Sequence, residues 1–168
     1  MGVLGAFLST WDDARAAFGS GTPVVGADFD MSAQFQELRR TVQAVAPGEE
    51  WTGTAAEAYD GRNRKHARAL GKLAELDRRL GAEVDRSAAV VTAGRRDLDS
   101  VRQWVLDAAV SAPPTEAGDQ ALLPVVAKGT ADITEILSRS NADLNTIAAR
   151  IREIGSGYDE LAGRGAQP

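Results

Sequence analysis

The sequence predicts an all-α fold, an elongated antiparallel helical bundle built around a long helix-turn-helix hairpin. Aromatic residues make up only 5% of the 168 residues, whereas 43% are hydrophobic. This balance favours helices packed through alanine and aliphatic side chains over a sheet. Apolar residues also recur alternately every three and four positions in four segments, the spacing of helices that pack nearly side by side. We therefore expect one helical domain over 1–168.

The first two predicted helices are short, and residues that break helices separate them. The first covers about 3–18 and ends at the loop 19–23, whose glycines and proline cannot continue a helix. The second covers about 32–46 and ends before Pro47. Its apolar positions keep the three-four spacing: Phe35, Leu38, Val42 and Val45.

The third predicted helix covers about 54–112 and contains no proline. Its apolar seam persists throughout, but four glycines interrupt it, each costing about 1 kcal/mol relative to alanine. We therefore expect a bend or a close helix contact near one of them. The glycines are Gly61, Gly71, Gly81 and Gly94.

The fourth predicted helix covers about 125–162 and lies antiparallel to the third. Pro113-Pro114 ends the third helix, and Pro124 makes the following segment irregular. From Ile133 to Leu161 the three-four spacing is strict. Residues 163–168 are predicted to form a flexible tail.

The composition argues against several kinds of chemistry. The chain has no cysteine and a single histidine, His66, which rules out thiolate chemistry and two-histidine metal sites. Residues 28–32 imitate the start of a calcium loop, but Ala33 stands where that loop needs glycine and Arg39 where it needs glutamate. We predict no catalytic residue, no metal site and no cofactor, and we expect that the protein is not an enzyme.

A basic run in the third helix is the candidate for an anionic partner. Its residues spread around the helix without aromatic side chains that could stack on bases, and the net charge of the chain is -5. We therefore expect a solvated helix face and no nucleic acid; binding to a membrane surface together with the apolar N-terminal helix is a weaker alternative. The basic residues are Arg62, Arg64, Lys65 and Arg68.

Neither a membrane span nor a Sec signal is expected. No stretch approaches the roughly 20 apolar residues that a membrane helix needs. The N-terminal residues lack the basic region of a signal peptide and run directly into Asp12 and Asp13.

Trp51 lies between the second and third predicted helices, within a Trp-Thr-Gly turn. A large ring at this place can plug the end of a bundle, and Gly53 supplies the backbone freedom that a chain reversal needs. Alternatively, the ring belongs to a recognition surface. We single out Trp51, Gly53 and Tyr59 as residues of the hairpin turn and of an interaction site.

A helix, a Trp-x-Gly turn and then a long helix together resemble the hairpin of the WxG-type proteins that type VII (ESX) systems of mycobacteria and their relatives export. The sequences APGEEWTGTAAEAY at 46–59, GRNRKH at 61–66 and ELDRRL at 75–80 resemble the EspA/EspE family of ESX secretion-associated proteins. The loop 19–23 is similar as well, so the resemblance spans about 1–112.

The resemblance implies a non-enzymatic protein that is secreted or associated with the cell envelope, is cytoplasmic before export, and acts through other proteins. The implied partner is an EspC-like helical protein, another type VII substrate, or further copies of the same chain. Family members usually continue with strongly hydrophobic segments and a low-complexity tail, whereas an amphipathic helix follows here.

The type VII export signal is a tyrosine followed four residues later by Asp or Glu, and neither tyrosine fits it. Asn63 follows Tyr59, and Ala162 follows Tyr158. The resemblance therefore implies export with a partner that carries the signal. The alternative function is a cytoplasmic helical scaffold or a self-associating coiled-coil protein.

Overall fold

The structure is a computed structural model that describes residues 2–165 and the side chains of 2–163. Its regular elements are all helical, which confirms the predicted all-α class. They are α1 (Val3–Ala17), a 3₁₀ turn (Gly26–Asp28), α2 (Ser32–Ala44), α3 (Thr54–Ser111) and α4 (Glu116–Gly165). Within this described part, no helix is both long and apolar enough to cross a membrane.

The contacts of the chain group into two compact units, and α3 and α4 each contribute to both. Unit 1 combines the residues up to Pro23 with Ser87–Ile147, and unit 2 combines Val24–Arg86 with the residues from Ala148 onward. That 1–168 forms one domain stays a prediction.

Unit 1 has its core where α1 packs on α3 and α4. Leu98 and Val105 of α3 are fully buried together with Phe7 of α1 and Ile133 of α4. The indole Nε1 of Trp11 donates a hydrogen bond of 2.7 Å to the carbonyl oxygen of Leu98, which ties α1 to α3. The spacing read from the sequence thus places the side chains that fill this core.

In unit 2, α2 and the first half of α3 form an antiparallel hairpin, and the end of α4 packs on α3. Leu76 of α3 is 1% exposed and lies against Gly157 of α4. The segment 24–31, which precedes α2, is held by two carboxylates of α3. The backbone N–H of Gly26 donates to Asp85 Oδ1 at 2.7 Å, and that of Met31 donates to Asp77 Oδ2 at 3.2 Å.

Helix α4 begins at Glu116 and not at 125 as predicted, so Pro124 lies inside it. A proline within a helix costs on the order of 3 kcal/mol, because its ring removes one hydrogen bond and crowds the preceding turn. Packing offsets this cost, since Leu122 is 7% exposed and Val125 and Val126 pack on the core of unit 1.

The other end of α4 also differs from the prediction. The helix continues to Gly165, so 163–165 are helical and not part of a flexible tail. Residues 166–168 of that predicted tail lie outside the described residues.

Helix α3 runs for 58 residues without a break despite its glycines. Two of them lie where another segment approaches closely. A Cβ at Gly81 would be 3.0 Å from the carbonyl oxygen of Gly26, and one at Gly94 would be 2.4 Å from the ring of Phe18. These two glycines therefore permit close contacts with other segments. The sequence analysis expected either a bend or such a contact near one of the glycines.

Candidate interaction surface on helix α2

Helix α2 differs from the other helices because none of its residues is fully buried. Phe35 and Val42 are partly buried, but Leu38 and Val45 are 51% and 54% exposed. In α3 and α4, by contrast, no residue of the predicted apolar seams is exposed. The apolar seam of α2 is therefore only half covered by its own chain.

The exposed apolar residues of α2 and of its two cap positions, Met31 and Val45, form one stripe. Met31, Leu38 and Val45 follow one another at intervals of seven residues and are each about half exposed. At 3.6 residues per turn, such residues lie on the same side of a helix. We call these three residues the α2 stripe.

The loop before α2 extends the apolar surface of unit 2. Val24, Val25 and Phe29 are 53%, 49% and 46% exposed. Single exposed apolar side chains are common, but a cluster of them within a short segment is typical of an interaction site. The stripe and this loop together contain six of the ten large apolar side chains that are exposed in the part of the chain that the structure describes.

The predicted turn residues lie together at the end of the α2–α3 hairpin. Trp51 is 47% exposed, and the centroid of its ring lies 5.1 Å from that of Tyr59, with 48° between the ring planes. Gly53 precedes α3 with a φ of 101°, a conformation that strains residues with a side chain. Trp51 is therefore not a buried plug, because its ring contacts the beginning of α3 while much of it stays in solvent.

The structure separates the predicted basic residues into two groups. Arg64 and Arg68 line a cleft between α2 and α3, whereas Arg62 and Lys65 are exposed outside it. Arg64 also forms an ion pair with Asp60, one turn earlier in α3. The basic run is therefore not one continuous binding face.

The buried carboxylates of unit 2 have partners within the fold. Asp77, 8% exposed, accepts hydrogen bonds from the N–H of Met31 and from the hydroxyl of Tyr158. The pKa of Tyr158 is raised mainly because the phenol is buried, and its hydrogen bond to Asp77 raises the pKa further. Glu83, 5% exposed, pairs with Arg86 and lies 3.8 Å from Arg150. These groups hold α4 and the segment before α2 against α3.

Sequence reasoning missed the role of Asp77 and the exposure of the α2 stripe. The sequence held no specific signal for Asp77, because Asp99 follows the seam residue Leu98 in the same way and is exposed. The stripe had no signal either, because Leu38 and Val45 follow the same spacing as buried seam residues. Among the described residues, no group of three or more His, Asp or Glu side chains could hold a metal ion.

A family model and curated proteins that match this chain point to the same group of proteins. A family model described as the EspA/EspE family matches residues 18–100, which include the loop before α2, the whole α2–α3 hairpin and most of α3. The ESX-1 secretion-associated protein EspA of two strains of Mycobacterium tuberculosis is 29% identical over 102 residues. The match covers 60% of this chain but only 26% of the relative, so the chain spans about a quarter of the length of the curated relatives that it matches.

No solved structure matches the chain significantly. The segment shared with the family is also the segment that contains the α2 stripe, Trp51 and the basic residues. Over residues 18–100 the chain is therefore similar to the EspA/EspE family.

Proposed function

We propose that this protein is a non-enzymatic component of a type VII (ESX) secretion system and that it acts by packing against a helix of another protein. The observation that carries the proposal is the half-covered seam of α2, with Met31, Leu38 and Val45 exposed at intervals of seven residues. A helix with a complementary apolar seam would bury these side chains, as in helix-in-groove recognition.

The family relationship supports the secretion part of the proposal. The relatives are named as ESX-1 secretion-associated proteins, and the matched segment includes the α2–α3 hairpin. Neither Tyr59 nor Tyr158 is followed four residues later by an acidic residue. We therefore propose that the protein leaves the cytoplasm together with a helical partner, EspC-like or another type VII substrate, which supplies the export signal.

A secretion assay tests this proposal. A tagged copy is expressed in a mycobacterial host with and without the type VII secretion ATPase, and cells are compared with culture filtrate. We expect a signal in the filtrate that disappears without the ATPase. Retention in the cytoplasm of the complete host would contradict the secretion role and favour the cytoplasmic scaffold.

A pair of α2 variants tests the surface. Leu38→Glu places a charge in the α2 stripe, whereas Gln36→Glu adds the same charge at an exposed position two residues earlier in the same helix. Both variants should melt close to the wild type, since neither position is buried. We expect only Leu38→Glu to lower the amount of protein in the filtrate and the recovery of co-purifying proteins; equal effects of both variants would refute the role of the stripe.

Self-association is the second candidate, because the same stripe could pair with the α2 of another copy. Light scattering coupled to size-exclusion chromatography distinguishes the two. A dimer that Leu38→Glu converts to a monomer, together with cytoplasmic retention, supports the self-associating scaffold. A monomer at all concentrations supports a partner of different sequence.

A further inference from the structure

A cleft on unit 2 is lined mainly by positively charged and amide side chains. It lies between α2 and the N-terminal part of α3 and has a volume of about 240 Å³. Three of its lining residues are arginines: Arg39 from α2, and Arg64 and Arg68 from α3. The amide of Asn63, also in the lining, donates to the carbonyl oxygen of Val45 at 3.4 Å and thereby ties the two helices together beside the cleft.

The positive charge of this cleft is only partly neutralised. Asp60 is the single carboxylate among the lining residues, and it pairs with Arg64. Among the residues that the structure describes, no carboxylate forms an ion pair with Arg39 or Arg68. The whole chain has a net charge of -5, so a local excess of two positive charges is a departure from its average surface.

The fold leaves the guanidinium of Arg39 without one of its hydrogen bonds. Its guanidinium packs over α3, and a Cβ at Gly71 would be 3.2 Å from its Nη1. Its Nε is buried and has no hydrogen-bond partner within the described part of the chain. A buried donor without an acceptor is unfavourable, so a movement of this side chain toward an acceptor in the cleft would be favourable. Carboxylates and phosphates are the strongest acceptors for arginine.

The cleft is separate from the α2 stripe. Arg39 follows Leu38 by one residue, which corresponds to about 100° around the helix. The cleft and the stripe therefore lie on different sides of α2 and can be tested independently.

We propose that the cleft between α2 and α3 is a binding site for a single carboxylate of another protein, with Arg39 and Arg68 as its principal ligands. Guanidinium groups bind a planar carboxylate through paired, charge-assisted hydrogen bonds. Asp60 favours a singly charged ligand, because a phosphate dianion would meet stronger repulsion from its carboxylate. The site thus specifies the partner chemistry as an acidic side chain or a chain terminus.

The experiment follows the Nε–Hε signals of the arginines by nuclear magnetic resonance in the full chain. The probe is N-acetyl-glutamic acid amide, whose only charge is its side-chain carboxylate, and the matched neutral control is N-acetyl-glutamine amide. Inorganic phosphate is titrated separately. We expect saturable shifts at Arg39 and Arg68 with the carboxylate probe, no saturable shift with the neutral control, and weaker binding of phosphate.

Two charge-neutralising variants distinguish the cleft from a general electrostatic field. Arg68→Gln removes a proposed ligand, whereas Arg62→Gln removes an equal charge from the same helix outside the cleft. Both arginines are exposed, so both variants should fold. We expect Arg68→Gln to weaken binding of the probe on the order of tenfold, the loss of a charge-assisted hydrogen bond, and Arg62→Gln to change it less than about twofold.

Three results would overturn the proposal. Equal weakening by both variants would show that binding follows only the average field of the basic run. Saturable shifts with the neutral control would show that the carboxylate is not what the cleft recognises. Tighter binding of phosphate than of the glutamate probe would assign the cleft to a phosphate source and not to a protein carboxylate.

Discussion

Replacement of Gly26 by alanine tests the closest backbone contact in unit 2. A Cβ at this position would lie 2.0 Å from the carbonyl oxygen of Gly81 and 2.8 Å from Cγ of Asp85. The carbonyl belongs to α3 and cannot turn away without disturbing the helix. The segment around residue 26 must therefore withdraw by more than 1 Å to reach an ordinary contact distance of about 3.5 Å.

The cost of this withdrawal has two parts. Overpacking of a tight contact costs about 1–3 kcal/mol. The movement also lengthens the hydrogen bond of 2.7 Å between the N–H of Gly26 and Asp85, and loss of a bond to a charged group costs a further 1–3 kcal/mol or so. We expect Gly26→Ala to lower the free energy of unfolding by roughly 2–6 kcal/mol.

Urea unfolding followed by circular dichroism at the helical band measures this difference. Gly61→Ala is the matched control, because it is a glycine-to-alanine change in the same unit with no atom within 4 Å of the new Cβ. It should raise the free energy of unfolding by about 0.5–1 kcal/mol through helix propensity. If the free energy of unfolding of Gly26→Ala lies within about 0.5 kcal/mol of the wild-type value, the contact between this segment and α3 does not exist.

Three further tests, one of them with a matched control, give predictions of different size. Leu98→Ala, at a side chain with 0% exposure, should cost about 2–5 kcal/mol of unfolding free energy, whereas Val110→Ala, at 88% exposure, should stay within about 0.5 kcal/mol; thermal melts compare the two. Trp51→Ala should lower the free energy of unfolding by less than the roughly 3–5 kcal/mol that loss of a buried aromatic side chain costs, because the ring is 47% exposed. A loss of that full size would support the interpretation of Trp51 as a buried plug. Tyr158→Phe should lower stability by about 1–3 kcal/mol at neutral pH, because the buried Asp77 loses this hydrogen bond and keeps only the one from the N–H of Met31. Since folding raises the pKa of Tyr158, this contribution should be present below the unfolded value near pH 10 and decline above it, and unfolding curves of both proteins from pH 8 to 11 check the sign.

The helices could be predicted because their apolar spacing is long and regular. The seam of α3 from Leu73 to Ala108 contains no exposed residue, and neither does that of α4 from Ile133 to Leu161. Each residue of such a seam reinforces the same packing face, so local and long-range preferences agree. The start of α4 could not be predicted in this way, because the local penalty of Pro124 was outweighed by burial of Leu122, which depends on the tertiary structure.

The candidate surfaces were harder to predict for a related reason. Leu38 and Val45 have the spacing of core residues, and only the structure shows that their own chain leaves them half exposed. The cleft depends on Arg39 of α2 meeting Arg68 of α3, which are distant in sequence and meet only because the hairpin is antiparallel. The basic run was visible in the sequence, but its division into cleft and solvent residues was not.

The size of the α2 stripe limits what can bind there. Full burial of a large apolar side chain contributes about 1.5–3 kcal/mol, so covering the exposed half of three such residues contributes roughly 2–4.5 kcal/mol. A micromolar complex needs about 8 kcal/mol, and association has entropic costs of its own. The stripe alone is therefore too small, and a partner must also cover the exposed Val24, Val25 and Phe29. Because α2 and its caps extend from Met31 to Val45, a helical partner needs a seam of about 20 Å plus a segment that reaches this loop.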